Sequence, residues 1–225
     1  PELELFVRRV QTHLRGEADE IDGHPSRLHW LPDLDLPKVP VEVAAAGRAV
    51  VAVGARVADQ IGFNVGADAK RLRRGIELAR KVRAEAGLDP DTLSFGAFVN
   101  VAPHHDIQIA RDLAKGVLAT YARFSAMTGR AVDGLNPSDA SIVTNLAKNY
   151  DRSRHARDAP HTALLPTEFI DRFGVVGSPE RCAERLAEII GLGIDRLLIV
   201  GAGRDTPAGH ESESRRLLTE EVLPR

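Results

Sequence analysis

Several groups of residues in the sequence are of types that do chemistry. The first is Ala45-Ala46-Gly47 followed by Arg48, with Asn64-Val65-Gly66 one element later. Small residues where a strand hands over to a helix leave backbone N–H groups open to an anion, and Arg48 adds charge in the first helical turn. The same residues also permit close packing of a helix on a sheet, so two readings stay open. A rival anion cradle is "VGAGRD", where Gly201 and Gly203 follow the last apolar run. A lone G-x-G is weak evidence, because it is also a simple turn.

His104 and His105 come next, at the end of "VNVAPHHD". Either can donate a proton to a substrate oxygen or act as a general acid, and the plain alternative is a loop capped by Asp106. His155, Arg157 and His161 lie in "NYDRSRHARDAPH", a polar segment suited either to lining a substrate pocket or to a solvated surface. No His or acidic residues show metal-ligand spacing, so no metal site is expected. Cys182 falls mid-helix in "SPERCAERL" and reads as a small buried hydrophobe. Trp30 reads as a packing anchor.

The elements that must position these residues alternate. Leu3, Phe6, Val10 and Leu14 give a first helix over 2–15, and a Pro-studded connector leads to a strand near 39–44. Helix 48–58, strand 61–64, a long helix capped by Asp68 and ended by Gly87, strand 93–102 and a helix capped by Asp106 follow. Residues 128–165 break the rhythm with a short helix at 138–149. Ser178 and Pro179 then open a helix to Ile190, strand 196–200 follows, and a helix near 212–222 closes the chain. Strands joined by crossover helices are parallel. Four such units make either a small doubly wound sheet or half of an eight-stranded barrel.

Composition narrows the function classes. The 225 residues are 43% hydrophobic with a formal net charge of -2, and the 30 basic residues are spread among 32 acids. No basic block suggests nucleic acid. No apolar run reaches the roughly 20 residues that span a bilayer. A single cysteine and an amphipathic opening, "PELELFVRRV", fit a cytoplasmic protein without a signal peptide. Arginine far outnumbers lysine, as in products of GC-rich genomes.

Three stretches together carry a resemblance. "PVEVAAAGRAVVAVGARVADQIGF", "VNVAPHHD" and "LLPTEFIDRFGVVGSPERCAERLAEIIGLGIDRLLIV" resemble the luciferase-like monooxygenase family, closest to its actinobacterial branch of coenzyme F420-dependent oxidoreductases. The opening "LRGEADEIDG" is similar to the family segment before strand five. The resemblance implies an α/β fold of the TIM (β/α)8 type, with 1–225 as one domain supplying about strands 5–8 and 128–165 as an insertion after strand seven. Strands one to four would lie before Pro1, making the chain a fragment or a shortened relative.

It also implies a cofactor, coenzyme F420 or alternatively FMN, whose phosphate lies at Ala45, Ala46, Gly47 and Arg48 and at Asn64, Val65 and Gly66. Many relatives have proline at the Arg48 position. The activity implied is hydride transfer between that cofactor and an organic small molecule, in a homodimer. Two alternatives stay beside it: a non-catalytic half-barrel completed by dimerisation, and an unrelated sugar-phosphate barrel enzyme.

Overall fold

The computed structural model describes residues 2–31, 36–126, 135–203 and 207–224. Helix α1 (Glu2–Leu14) is followed by a hairpin of β1 (Asp19–Ile21) and β2 (His24–Ser26), which the connector's polar composition concealed. The main sheet then begins: β3 (Glu42–Ala45), α2 (Arg48–Val57), β4 (Gln60–Phe63), α3 (Ala69–Glu85) and β5 (Ser94–Pro103). Helices α4 (Ile107–Ala122), α5 (Pro137–Asn149) and α6 (Thr167–Phe173) lead to β6 (Val175–Gly177). The chain finishes with α7 (Pro179–Ile190), β7 (Arg196–Val200) and α8 (Ala208–Leu217).

All pairings in the five-stranded sheet are parallel, as the crossover helices require. β3 pairs β4, β4 pairs the first half of β5, and β7 pairs the other edge of β5. The ten-residue β5 outruns β4. Where β4 stops, the Ala67 N–H bonds the Phe173 carbonyl at 2.8 Å, and β6 takes over the edge of β5 at Val101–Pro103. β6 is the strand missing from the sequence reading, because three residues before a helix cap carry no readable alternation. β3 starts later than the expected residue 39: Pro40 has no N–H, and the Val41 N–H bonds the Asp59 carboxylate at 2.7 Å rather than a neighbouring strand.

Two cores result. Ile61, Phe63, Phe95, Ala97 and Val99 point to one face of the sheet, where they pack with Leu72 and Ile76 of α3 and Cys182, Leu186 and Ile189 of α7. The second core joins α4, α5 and α6 to Ala102 and Val176 at the upper end of β5 and β6, with Leu113, Leu146 and Phe169 at its centre. The described part of 128–165 is therefore packed structure, whereas 128–134 lies outside the described residues. Cys182 is buried, and burial pushes its thiol up to about 12, which suits a packed residue and not a nucleophile. Trp30 is exposed, contrary to a packing anchor.

The other face of the sheet is open. Glu42, Gly62, Gly96, Phe98 and Leu198 share it, Leu198 is 53% exposed, and Glu42 meets Arg196 across it at 2.5 Å. Among the described residues β3 and β7 each have one strand partner. No helix is long and apolar enough to cross a membrane.

Candidate functional site

Ala45 ends β3 and Gly47 is the N-cap of α2. Asp68, Asp106, Asn136 and Ser178 cap α3, α4, α5 and α7 with side-chain acceptors, but α2 has no such acceptor. Its first N–H groups open instead onto a cavity of about 430 Å³ between α2 and α3. Ala45, Ala46, Gly47, Arg48 and Val65 all line it.

The cavity has a cationic wall that sequence reasoning missed. Arg71, Arg74 and Lys81 of α3 face the cavity beside Leu78, opposed by Glu77. Their spacing of three and seven puts them on one stripe of the helix, so "RLRRGIELARK" held the signal. Gly75 lets this helix approach, since a Cβ there would lie 2.6 Å from the Phe63 ring. Arg71 is buried and donates to Ser125 Oγ at 3.1 Å and to the Ala46 carbonyl at 3.4 Å. Burial lowers its pKa to about 10, which still leaves it charged near neutrality.

Two members of the expected cradle stand apart. Gly66, at φ +67°, is filled from outside by Phe173: a Cβ would lie 2.4 Å from its ring and 2.5 Å from its carbonyl oxygen. This glycine is required by the Phe173 crossing, and neither it nor Asn64 lines the cavity. Asn64 leaves its Oδ1 buried without a partner, as Asn100 of β5 leaves its Nδ2.

At the end of β5 the two histidines diverge. His105 is exposed, whereas His104 is 6% exposed and accepts the Asp106 N–H at Nδ1, 3.0 Å away. Nε2 lies 3.2 Å from the Glu213 carboxylate, a charge contact whose angle falls short of a hydrogen bond. The His210 ring stands edge-on at 5.4 Å. His104, His210 and Glu213 bring ligand atoms within 4.8 Å of one another, a juxtaposition over a hundred residues of chain that spacing does not reveal. With the Nδ1 lone pair used by an N–H, the neutral ring carries its proton on Nε2. That atom faces Glu213 as a donor, not as a lone pair for a cation.

His155 is exposed, Arg157 half-buried and His161 buried; they gather around Tyr150 at the edge of the second core and do not line the cavity between α2 and α3. The Tyr150 hydroxyl meets His155 Nδ1 at 2.7 Å, the His161 ring lies 4.1 Å from the Tyr150 ring, and Arg157 pairs with Asp112. Burial lowers the pKa of His161, with His155 and Arg123 adding to the effect against Asp151. In the rival cradle Gly201 and Gly203 are half-buried, and Arg204 and Asp205 lie outside the described residues.

Comparison with known proteins bears on this geometry. The luciferase-like monooxygenase profile matches residues 3–196. Three solved structures superpose on the chain. The F420-dependent tetrahydromethanopterin reductase of Methanopyrus kandleri has 16% identity and a TM-score of 0.64, over 99% of this chain and 62% of the reductase. An F420-dependent secondary alcohol dehydrogenase, solved with an F420-acetone adduct, has 13% identity and a TM-score of 0.65, over 96% and 59%. The FMN-bound oxygenating constituent of 3,6-diketocamphane monooxygenase from Pseudomonas putida has 16% identity and a TM-score of 0.51, over 98% and 61%. The chain thus spans about three fifths of the length of each.

Proposed function

The chain belongs to the luciferase-like monooxygenase family, and from that premise we propose an oxidoreductase in which a hydride passes between coenzyme F420 and an organic substrate. FMN is the close variant. One observation carries the reading: the N-terminus of α2, without a side-chain cap, opens onto a cavity walled by Arg71, Arg74 and Lys81. A phosphate fits this donor set, because backbone N–H groups and guanidinium forks both favour an anionic oxygen, and the small side chains of Ala45, Ala46 and Gly47 leave it room.

When bound, such a cofactor supplies the redox chemistry. The chain's own residues bind and orient. Gly47 and the first turn of α2 would hold the phosphate, and Arg71, fixed by Ser125, would keep a cation beside it. His104 holds a proton at Nε2 on the same C-terminal end of the sheet, steadied by Asp106 and Glu213, where it can be given to a substrate oxygen as hydride arrives. A spectral titration with F420 and with FMN tests the reading. Saturable binding of either, competed by inorganic phosphate, is the expected result; no spectral change with both would sink it.

A second reading rests on the open face. Leu198, Phe98 and the Glu42–Arg196 pair lie uncovered beside two unpaired strand edges, which suits a cofactor-binding chain completed by a second copy. Light scattering separates the two, with a homodimer that binds cofactor without turnover favouring this one.

A further inference from the structure

Residues 150–162 lie across α4 as a strap. Asp112, Gly116 and Thr120 follow one another at i, i+4 spacing, so they form one stripe of that helix. The strap meets all three. Its Tyr150 hydroxyl lies 2.6 Å from Thr120 Oγ1, and Arg157 pairs with Asp112. Between them the backbone of Ala156 and Arg157 rests on Gly116, where a Cβ would come within 2.8 Å of the Arg157 nitrogen. The strap is also tied to itself. The Thr162 hydroxyl donates to the Arg157 carbonyl at 2.8 Å, and His161 Nδ1 accepts the Asp151 N–H at 3.3 Å.

The two histidines of the strap stand in opposite situations. His155 is exposed, and its Nδ1 meets the Tyr150 hydroxyl at 2.7 Å. A protonated His155 still donates from Nδ1 to the phenol oxygen, while the phenol donates to Thr120 and the Thr120 hydroxyl to the Gly116 carbonyl. That contact survives a proton. His161 is 2% exposed. Its Nδ1 is occupied by the Asp151 N–H, so the neutral ring carries its proton on Nε2, which is buried without a partner. A second proton must go to Nδ1, where it meets the Asp151 N–H donor to donor. It also creates a buried cation against the Tyr150 ring, 4.1 Å away, which already has the Arg123 guanidinium at 4.3 Å.

The charges around His161 do not relieve this. Burial is the largest influence and holds the imidazole below its ordinary 6.5; Asp151 favours the charged ring, while His155 and Arg123 oppose it. On α4 under the strap, Asp112 is engaged by Arg157 and by Lys115, and α5 carries Lys148 exposed in its last turn.

We propose that residues 150–162 are an acid-released strap: neutral His161 clasps it on α4, and protonation of His161 lifts it. Lifting breaks the Asp151 N–H bond to Nδ1, uncovers Gly116 and Thr120, and withdraws Tyr150 from the second core. The clasped form binds the proton less well than the open form. Its stability is therefore complete above about pH 6.5 and is lost as the pH falls below that towards the clasped value. A single proton limits the change in the opening equilibrium to about tenfold per pH unit.

Hydrogen exchange read by mass spectrometry on the whole chain, at about pH 7.5 and about pH 5.5 with times scaled to the intrinsic rates, tests this. Protection of the 151–162 amides should fall about tenfold at the lower pH, while α3 and β5 keep theirs. His161→Asn retains an acceptor for the Asp151 N–H but does not titrate, so it should abolish the fall. His155→Gln should leave the fall in place. Undiminished protection of the parent at low pH overturns the proposal, as does an equal fall in α3 and β5, which would be general acid loosening. A fall that persists in His161→Asn, or disappears in His155→Gln, also overturns it. If His161→Asn is open at both pH values, an imidazole NMR titration of the parent decides. Opening that follows the His161 signal supports the strap, and opening at a different midpoint refutes it.

Discussion

The two ends of the parallel sheet are built for different purposes. At the start of the strands, two carboxylates tie neighbouring elements together. Asp59 gathers Lys38 Nζ at 2.6 Å, the Val41 N–H at 2.7 Å and Gln11 Nε2 at 3.1 Å, tying α1 and β3 to β4. Asp195 takes the Phe95 N–H at 2.7 Å and returns its own N–H to the Phe95 carbonyl, fixing β7 on β5. At the other end, polar atoms are left over. Asn64 Oδ1 and Asn100 Nδ2 lack partners, His104 Nε2 faces Glu213 at a poor angle, and α2 opens without a side-chain cap. Buried polar groups cost about 1–3 kcal/mol when unsatisfied; the start of the strands leaves Gln11 Oε1 as well, so what sets the other end apart is that two sheet asparagines, His104 and an uncapped helix start gather there.

The largest effect should come from Gly66→Asp. The change adds a Cβ inside contact distance of the Phe173 carbonyl at a positive φ, so we expect about 3 kcal/mol of lost stability from overpacking and strain together. Denaturant unfolding measures it. A normal midpoint would show that the Phe173 crossing yields, and would return Gly66 to the ligand end.

Next is Arg71→Gln, which keeps a donor but removes the buried cation. Charge-assisted hydrogen bonds contribute about 1.5–3 kcal/mol, so F420 or FMN should bind roughly tenfold to a hundredfold more weakly. An analogue without the phosphate should lose little. If it loses as much, Arg71 serves packing against Ser125 and the two ends of the sheet are alike.

Asp59→Asn probes the structural end. Burial raises the Asp59 pKa, but Lys38, the Val41 N–H and Gln11 outweigh it and hold the value below 3.8. A depressed folded pKa means a contribution that is complete above 3.8 and lost as the pH falls through the folded value. The variant should therefore lose about 1 kcal/mol at pH 7, a low figure because the side chain is over a third exposed. The difference from the parent should shrink in acid melts below pH 3.8. Cofactor affinity should be untouched.

How much of this was legible in the sequence depends on distance along the chain. The main-sheet strands of five and ten residues, and the capped helices, could be read because period and cap are local signals. That Ala45–Arg48 line a cavity at a strand-to-helix junction was legible for the same reason, and so in principle was the arginine stripe of α3. The hairpin at 19–26 and β6 were not, since three-residue strands show no alternation. His210 and Glu213 beside His104 were beyond reach, because β5 and α8 meet only through the topology. Gly66 misled: a glycine after a strand signals a close approach, but not whether ligand or protein approaches.

The smallest effect, and the most discriminating, belongs to Arg48→Ala. Arg48 is exposed in the first turn of α2, where a cation opposes the helix dipole, and it makes no ion pair among the described residues. Removing it should stabilise the ligand-free chain by about 0.3–1 kcal/mol, since that is the scale of an exposed charge at a helix end. Alanine is also the better helix former. If an anion sits at this N-terminus, the same change should weaken cofactor binding by about twofold to fivefold, an effect that added salt suppresses. The two signs are opposed: a higher melting temperature without ligand, and a smaller ligand-induced rise. A residue with a purely structural role cannot produce both. If the melting temperature rises and the ligand-induced shift is unchanged, no anion sits at the start of α2, and the contrast between the two ends rests on His104 alone.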